Sequence, residues 1–297
     1  MQKFKIGIVG LGGIGGLLGV LLKNKKYDVS SSKSYYKKYI TLNLKSNFYG
    51  NLSAKLKTRS NLNDKKIIFI CSKFQFLNHH LKKIKNTKAL IVPLLNGISH
   101  FEILKKKFGS KIFIANIGKV ESKINKTKQI IHTSSNAPEV LISSEKKNKK
   151  EIQILKKLLN EINIKVKIRL KSSEVIWLKL IRLSAISAIT ALYNCNLGQI
   201  RNSRKKIYEL NTLIKESLIV SKKADNFREN SSNIKNLIKT FPDNLTTSLQ
   251  RDINNSSYSE LETQIGSIVK LSKSLNIKSP MYEKIYFLLK RKCQKKS

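Results

Sequence analysis

Glycines at positions 10, 12 and 15 follow an apolar run at residues 4–9 and precede a helical apolar pattern that extends to residue 22. A strand that turns through G-x-G-x-x-G into a helix presents unpaired N–H groups, and the positive end of the helix dipole, to an anion. Gly10 permits the tight turn, Gly12 the close approach of a pyrophosphate, and Gly15 the packing of helix on strand. This spacing in this context predicts a dinucleotide cradle formed by Gly10, Leu11, Gly12, Gly13, Ile14 and Gly15. Two other readings compete. Lys3 and Lys5 before the apolar run look like the start of a signal peptide, and Gly12/Gly16 or Gly15/Gly19 could be a membrane helix pair. The run 6–22 is short for a span and rich in glycine, and no A-x-A-like cleavage site follows it, so the nucleotide loop is preferred.

Other residues could complete a reaction. Lys179 sits among Leu178, Leu180, Ile181 and Leu183, on the same helical face as Leu183 and Ser187. A lysine desolvated there would have its pKa lowered toward the range useful for proton donation. Glu260 fits either a carboxylate in a site or the fourth position of a capping box opened by Ser257. Lys73 and Asn96 each follow a predicted parallel strand, at the edge where open α/β sheets bind ligands. Each also has a plain reading, as a surface lysine and as half of an Asn-Gly turn. The second predicted strand ends in Ser31, Ser32, Lys33 and Ser34, without the acid that would bond the 2′-hydroxyl of NAD. That ending favours NADPH, with Lys33 at the 2′-phosphate; a solvated lysine is the alternative.

The elements that must position these residues change character along the chain. Apolar runs and period-2 alternation mark strands at 27–33, 39–44, 53–58, 66–71, 89–93, 112–117, 129–133, 140–143 and 164–168. Helical stretches lie between several of them, to about residue 85 and at 151–162. Such alternation predicts a mainly parallel sheet with helices on both faces. Beyond residue 170 only helical periods remain: 173–193, 203–225, 233–241, 243–253, 258–275 and 280–292. Ser172 or Ser173 is expected to cap the first of these. The fold class is therefore α/β, a Rossmann-type doubly wound sheet over 1–170 followed by an all-helical domain over 171–297.

Among 297 residues, 59 are Lys or Arg and 18 are Asp or Glu, a formal net charge of +41. The lysines are spread along the chain, Asn and Ile are abundant and Arg is scarce. That is the composition of an AT-rich coding sequence, and no specific nucleic-acid partner is read from it. Such a field would still attract anionic cofactors and substrates. The cysteines, Cys71, Cys195 and Cys293, have no metal-ligand spacing, so no metal is expected. Their sparse use fits a reducing cytoplasm. No second apolar stretch is expected to be long enough for a bilayer.

Five blocks taken together give the chain a resemblance over nearly its full length. They are Gly10–Gly15, Cys71-Ser72-Lys73, Leu94-Leu95-Asn96-Gly97, Trp177-Leu178-Lys179-Leu180 continuing to Ala188-Ile189-Thr190-Ala191-Leu192, and Ser248-Leu249-Gln250-Arg251-Asp252 with Ser259-Glu260-Leu261-Glu262. In order and spacing these resemble the ketopantoate reductases (2-dehydropantoate 2-reductases), within the 6-phosphogluconate-dehydrogenase-like enzymes. The resemblance implies hydride transfer from NADPH to the ketone of a small 2-oxo acid, in pantothenate and coenzyme A synthesis. It implies that Lys179 is the general acid and that Glu260 orients it. Asn96 would lie between nicotinamide and substrate, Ser248 would hold the substrate carboxylate or hydroxyl, and Lys73 would contact the cofactor or help domain closure. The family's two asparagines after the lysine are here Leu183 and Ser187, and its Ser-Met pair is Ser248-Leu249. The alternatives are a reductase of a less polar 2-oxo acid with the same mechanism, or a non-catalytic dinucleotide-binding protein. A homodimer is compatible with either.

Overall fold

The structure is a computed structural model that describes residues 4–32, 38–85, 88–125, 127–147, 149–255 and 260–294. It divides into two compact units, Met1–Leu95 with His100–Val175, and Asn96–Ser99 with Ile176–Ser297. The division falls at Val175, inside a helix, rather than after residue 170. The four residues Asn96–Ser99 are grouped with the second unit.

In the first unit the order is β1 (Lys5–Val9), α1 (Gly13–Asn24), β2 (Asp28–Ser32), β3 (Tyr39–Ser46), β4 (Gly50–Arg59) and β5 (Ile67–Ile70). Then come a 3₁₀ turn (Phe74–Phe76), α2 (Leu77–Leu81), β6 (Leu90–Pro93) and α3 (Ser99–Phe108). Next are β7 (Ala115–Gly118), β8 (Ser122–Ile124), β9 (Gln129–His132), β10 (Glu139–Ser143), α4 (Lys149–Glu161) and β11 (Lys165–Arg169). Eight strands form one sheet in the order β6-β5-β1-β2-β4-β3-β9-β8, and β11-β10-β7 form a second. The segment β6-β5-β1-β2-β4 is parallel throughout. β3 also pairs parallel with β9, so the sheet is mainly parallel as expected, with two antiparallel pairings, β3 with β4 and β8 with β9. The cause of the first is local. Ser46 Oγ accepts from the N–H groups of Phe48 and Tyr49, which closes a tight hairpin between β3 and β4.

β5 shows why the central strands read as unbroken apolar runs. Ile67 and Phe69 join the core on the α1 side, while Ile68 and Ile70 join Leu77, Leu81 and Leu104 on the other. A strand buried on both faces has no polar side to alternate with.

The second unit is helical: α5 (Ser172–Tyr193), α6 (Leu197–Arg201), α7 (Arg204–Asp225), α8 (Ser231–Lys239), α9 (Ser248–Asn254), α10 (Leu261–Ser274) and α11 (Pro280–Gln294). Trp177, Ile181, Ala185 and Ile189 of α5 pack into its core with Leu213, Ile265 and Tyr282. α5 is long and apolar enough to cross a bilayer, contrary to expectation, and its role as a buried core helix accounts for that composition. Its start also differs from the expected serine cap. The helix begins at Ser172, whose N–H donates to the Glu145 carboxylate at 2.8 Å. α9 starts at Ser248 rather than near 243, with Thr247 as its cap. The preceding carbonyls of Asp243 and Leu245 are taken by the N–H groups of Gly198 and Leu197. Those N–H groups open α6, which the periodicity did not predict, although its Asn196/Gln199 capping box is visible in the sequence.

Candidate active site

The glycine loop of the first unit is built as its spacing requires. Gly10 has φ +86°, and a Cβ there would lie 2.6 Å from the Ser72 backbone. A Cβ on Gly15 would lie 1.9 Å from the Gly10 carbonyl oxygen, so the helix can approach the turn only with glycine at 15. Leu11 and Ile14 are half-buried against the core and anchor the loop. Gly12 is the N-cap of α1, and a Cβ there would meet nothing within 4 Å. No side chain caps α1 and no acid stands in its first turn, so the first N–H groups and the dipole are left for an anion. Ser72 Oγ, buried beside Gly10, has no hydrogen-bond partner among the described residues. These features fit a dinucleotide pyrophosphate. Lys73 follows β5 as the half-buried N-cap residue of the 3₁₀ turn. Lys33 lies outside the described residues.

The second unit gathers the other candidates. Gly97, with φ +82°, sits so close to α10 that a Cβ would lie 2.1 Å from the Thr263 carbonyl oxygen. This places the neighbouring Asn96 against the start of α10. There Asn96 Nδ2 donates to Glu260 Oε2 at 2.9 Å, and Gln264 Nε2 donates to the same oxygen at 3.1 Å. Glu260 is buried. It stands at the N-cap of α10, not at the fourth position of a capping box, and its side chain does not cap the helix. The capping-box expectation is thus corrected; its other member, Ser257, lies outside the described residues. The carboxylate instead makes contacts toward other side chains while resting at a favourable helix end.

Lys179 is the cation of this constellation. Desolvation lowers its pKa from 10.5 to about 8; the Glu260 charge opposes this and the Arg182 charge adds to it. An ammonium so tuned is still protonated at neutral pH and is a stronger acid than an exposed lysine. One turn on, Leu183 is half-buried; two turns on, Ser187 is fully buried and its Oγ has no partner among the described residues. Thr190, on the same helix, shares a 2.9 Å hydrogen bond with Thr247, the cap of α9, and so ties the start of that helix, Ser248, to α5.

The second unit therefore holds Asn96, Lys179 and Glu260 in one electrostatic group, with Leu183 and Ser187 further along α5 and Ser248 at the start of α9. The loop residues 10–15 and Lys73 belong to the first unit. Sequence reasoning passed over Gln264, Arg182, Thr190 and Thr247. Gln264 lies four residues after Glu260 and Arg182 three after Lys179, helical spacings that would have flagged both.

Comparison with known proteins gives the following. The family model described as Ketopantoate reductase PanE/ApbA matches residues 6–142, and its C-terminal counterpart matches residues 172–293. The uncharacterized oxidoreductase YkpB of Bacillus subtilis (strain 168) is 25% identical over 227 residues, covering 74% of each chain. A D-mandelate dehydrogenase solved with NADH and anilino(oxo)acetate has a TM-score of 0.86 at 19% identity, covering 98% of this chain and 99% of that one. A dimeric ketopantoate reductase from Staphylococcus aureus has a TM-score of 0.80 at 18% identity, covering 99% and 100%. The two solved structures show the fold, a Rossmann-like region followed by a helical domain.

Proposed function

This chain belongs to the ketopantoate reductase family, and we propose that it reduces the ketone of a small 2-oxo acid with NADPH. The observation that carries this reading is the group Asn96–Glu260–Lys179: a desolvated ammonium beside a carboxylate pinned by two amides. When bound, NADPH supplies a hydride to the carbonyl carbon. As the carbonyl oxygen gains negative charge, the Lys179 ammonium stabilises it and gives up its proton. Glu260 fixes the ammonium, and Asn96 and Gln264 fix Glu260. Ketopantoate is the first substrate to try, with pantothenate and coenzyme A synthesis as the setting. Leu183 in place of an amide favours a less polar 2-oxo acid as the second. NADPH is preferred to NADH because no acid ends β2. A homodimer is proposed because one solved reductase of this fold is dimeric. A cytoplasmic location is proposed from the sparse cysteines. The test is NADPH oxidation by the purified protein across a panel of 2-oxo acids that includes ketopantoate. Absence of turnover on every member would overturn the reading.

A further inference from the structure

We infer that Arg59, together with Ser32, reads the 2′-phosphate of NADPH. This inference rests on the cofactor reading above and names residues that the end of β2 alone does not reveal. β2 and β4 run parallel, and Ser32 and Arg59 are register partners at their C-terminal ends. That edge is where ligands of open parallel sheets bind. Paired residues on neighbouring strands put their side chains on one face, so Ser32 and Arg59 share a face and Ser31 takes the other. Ser32 is buried at 4% exposure. Its Oγ and the Nε of Arg59 are both buried, and neither has a hydrogen-bond partner among the described residues. A hydroxyl and a guanidinium N–H left unmade in this way are costly unless a ligand takes them.

The surrounding charge points the same way. Arg59 Nη1 lies 3.5 Å from Asp64, but Lys5 at 3.4 Å and Lys65 at 3.3 Å claim the same carboxylate. Three cations thus share one acid. Lys65 also donates to Ser30 Oγ at 3.2 Å, two residues before Ser32 on the same face. Asp28 begins the strand, four positions before Ser32. Asp64 therefore answers the Arg59 charge only in part, and a planar guanidinium can offer phosphate oxygens two parallel N–H bonds. The 2′-hydroxyl of NADH would leave that charge unanswered.

The test is calorimetric titration of the full chain with NADPH, NADH, 2′,5′-ADP and 5′-AMP, with thermal melts of each variant. Wild type should prefer the ligands bearing the 2′-phosphate. Arg59→Leu should weaken NADPH and 2′,5′-ADP by about tenfold or more, the loss of one charged hydrogen-bonding group, and change NADH by less than about twofold. Arg59→Lys should recover part of the loss, because a point charge remains without the fork. Ser32→Ala, which leaves the ion cluster intact, should narrow the preference on its own and serves if Arg59→Leu does not fold. If wild type discriminates and the Arg59 variants discriminate equally well, Arg59 is not the reader, and Lys33→Ala in the same titrations tests the alternative. Equal weakening of NADPH and NADH would make Arg59 structural and overturn the inference. Equal binding of NADPH and NADH by wild type would overturn the cofactor reading as well.

Discussion

Asn96 Nδ2 donates to Glu260 Oε2 at 2.9 Å, joining two side chains 164 positions apart in the chain. The bond reaches a buried carboxylate that also accepts from Gln264 at 3.1 Å. Its value is positional: Glu260 carries the charge that raises the pKa of Lys179, and Asn96 decides where that charge lies.

Asn96→Ala should therefore slow turnover without unfolding the protein. A misplaced catalytic group costs roughly a hundredfold, and the loss should fall on kcat more than on NADPH affinity. Steady-state kinetics together with cofactor titration would separate the two. Loss of NADPH binding with kcat intact would place Asn96 outside the proton-delivery group.

The pH dependence follows from the Lys179 ammonium, which must be protonated to act. Reduction should be level below its pKa and fall as pH rises through about 8. Glu260 raises that pKa, so in Glu260→Gln the falling limb should move to lower pH. The sign is fixed: removing a negative neighbour makes a cation easier to deprotonate. A limb that stays in place, or moves to higher pH, would contradict the pairing of Lys179 with Glu260.

Leu183 and the buried Ser187 stand where the family is expected to have two amides. An apolar wall discriminates weakly against loss of a hydroxyl, whereas a hydrogen-bonding site discriminates strongly. The preference for ketopantoate over the hydroxyl-free 2-oxoisovalerate should accordingly be small in wild type. Leu183→Asn should widen it by about tenfold or more, read as the ratio of kcat/KM values. An unchanged ratio would show that Leu183 does not face the substrate.

The glycine loop gives a paired test. Gly15→Ala must force its Cβ against a carbonyl oxygen 1.9 Å away, a clash within the backbone. Overpacking of this kind costs about 1–3 kcal/mol, a melting point lower by roughly 5 °C. Gly12→Ala meets nothing within 4 Å and should melt as wild type while binding NADPH more weakly. The opposite pattern, Gly15→Ala melting as wild type or Gly12→Ala binding normally, would undo the loop's assignment.

Much of this was legible in the residues. The spacing of Gly10, Gly12 and Gly15 is a backbone requirement, so it shows in one sequence. Lys179 was visible because a lysine among leucines and isoleucines is conspicuous. The pairing of Asn96 with Glu260 is a contact across 164 positions, and nothing local encodes it. The alternation at 39–44 and 53–58 gave two strands, but their antiparallel pairing depends on the Ser46 turn, a side-chain bond that periodicity does not register. The start of α9 was misplaced because its upstream carbonyls are spent on α6, again a long-range bond. Arg59 was passed over because its meaning comes from lying beside Ser32 in the sheet.

The most direct test of the account is the turnover of Lys179→Ala beside wild type, measured as NADPH oxidation with the best 2-oxo acid of the panel, with NADPH affinity measured separately. Loss of a positioned general acid should lower kcat by about a hundredfold to ten thousandfold while NADPH binds as before. Combined with Glu260→Ala, the total loss should fall short of the product of the two single losses, because the pair acts as a unit. A folded Lys179→Ala protein that turns over at a near-normal rate would contradict the proposed chemistry at its centre.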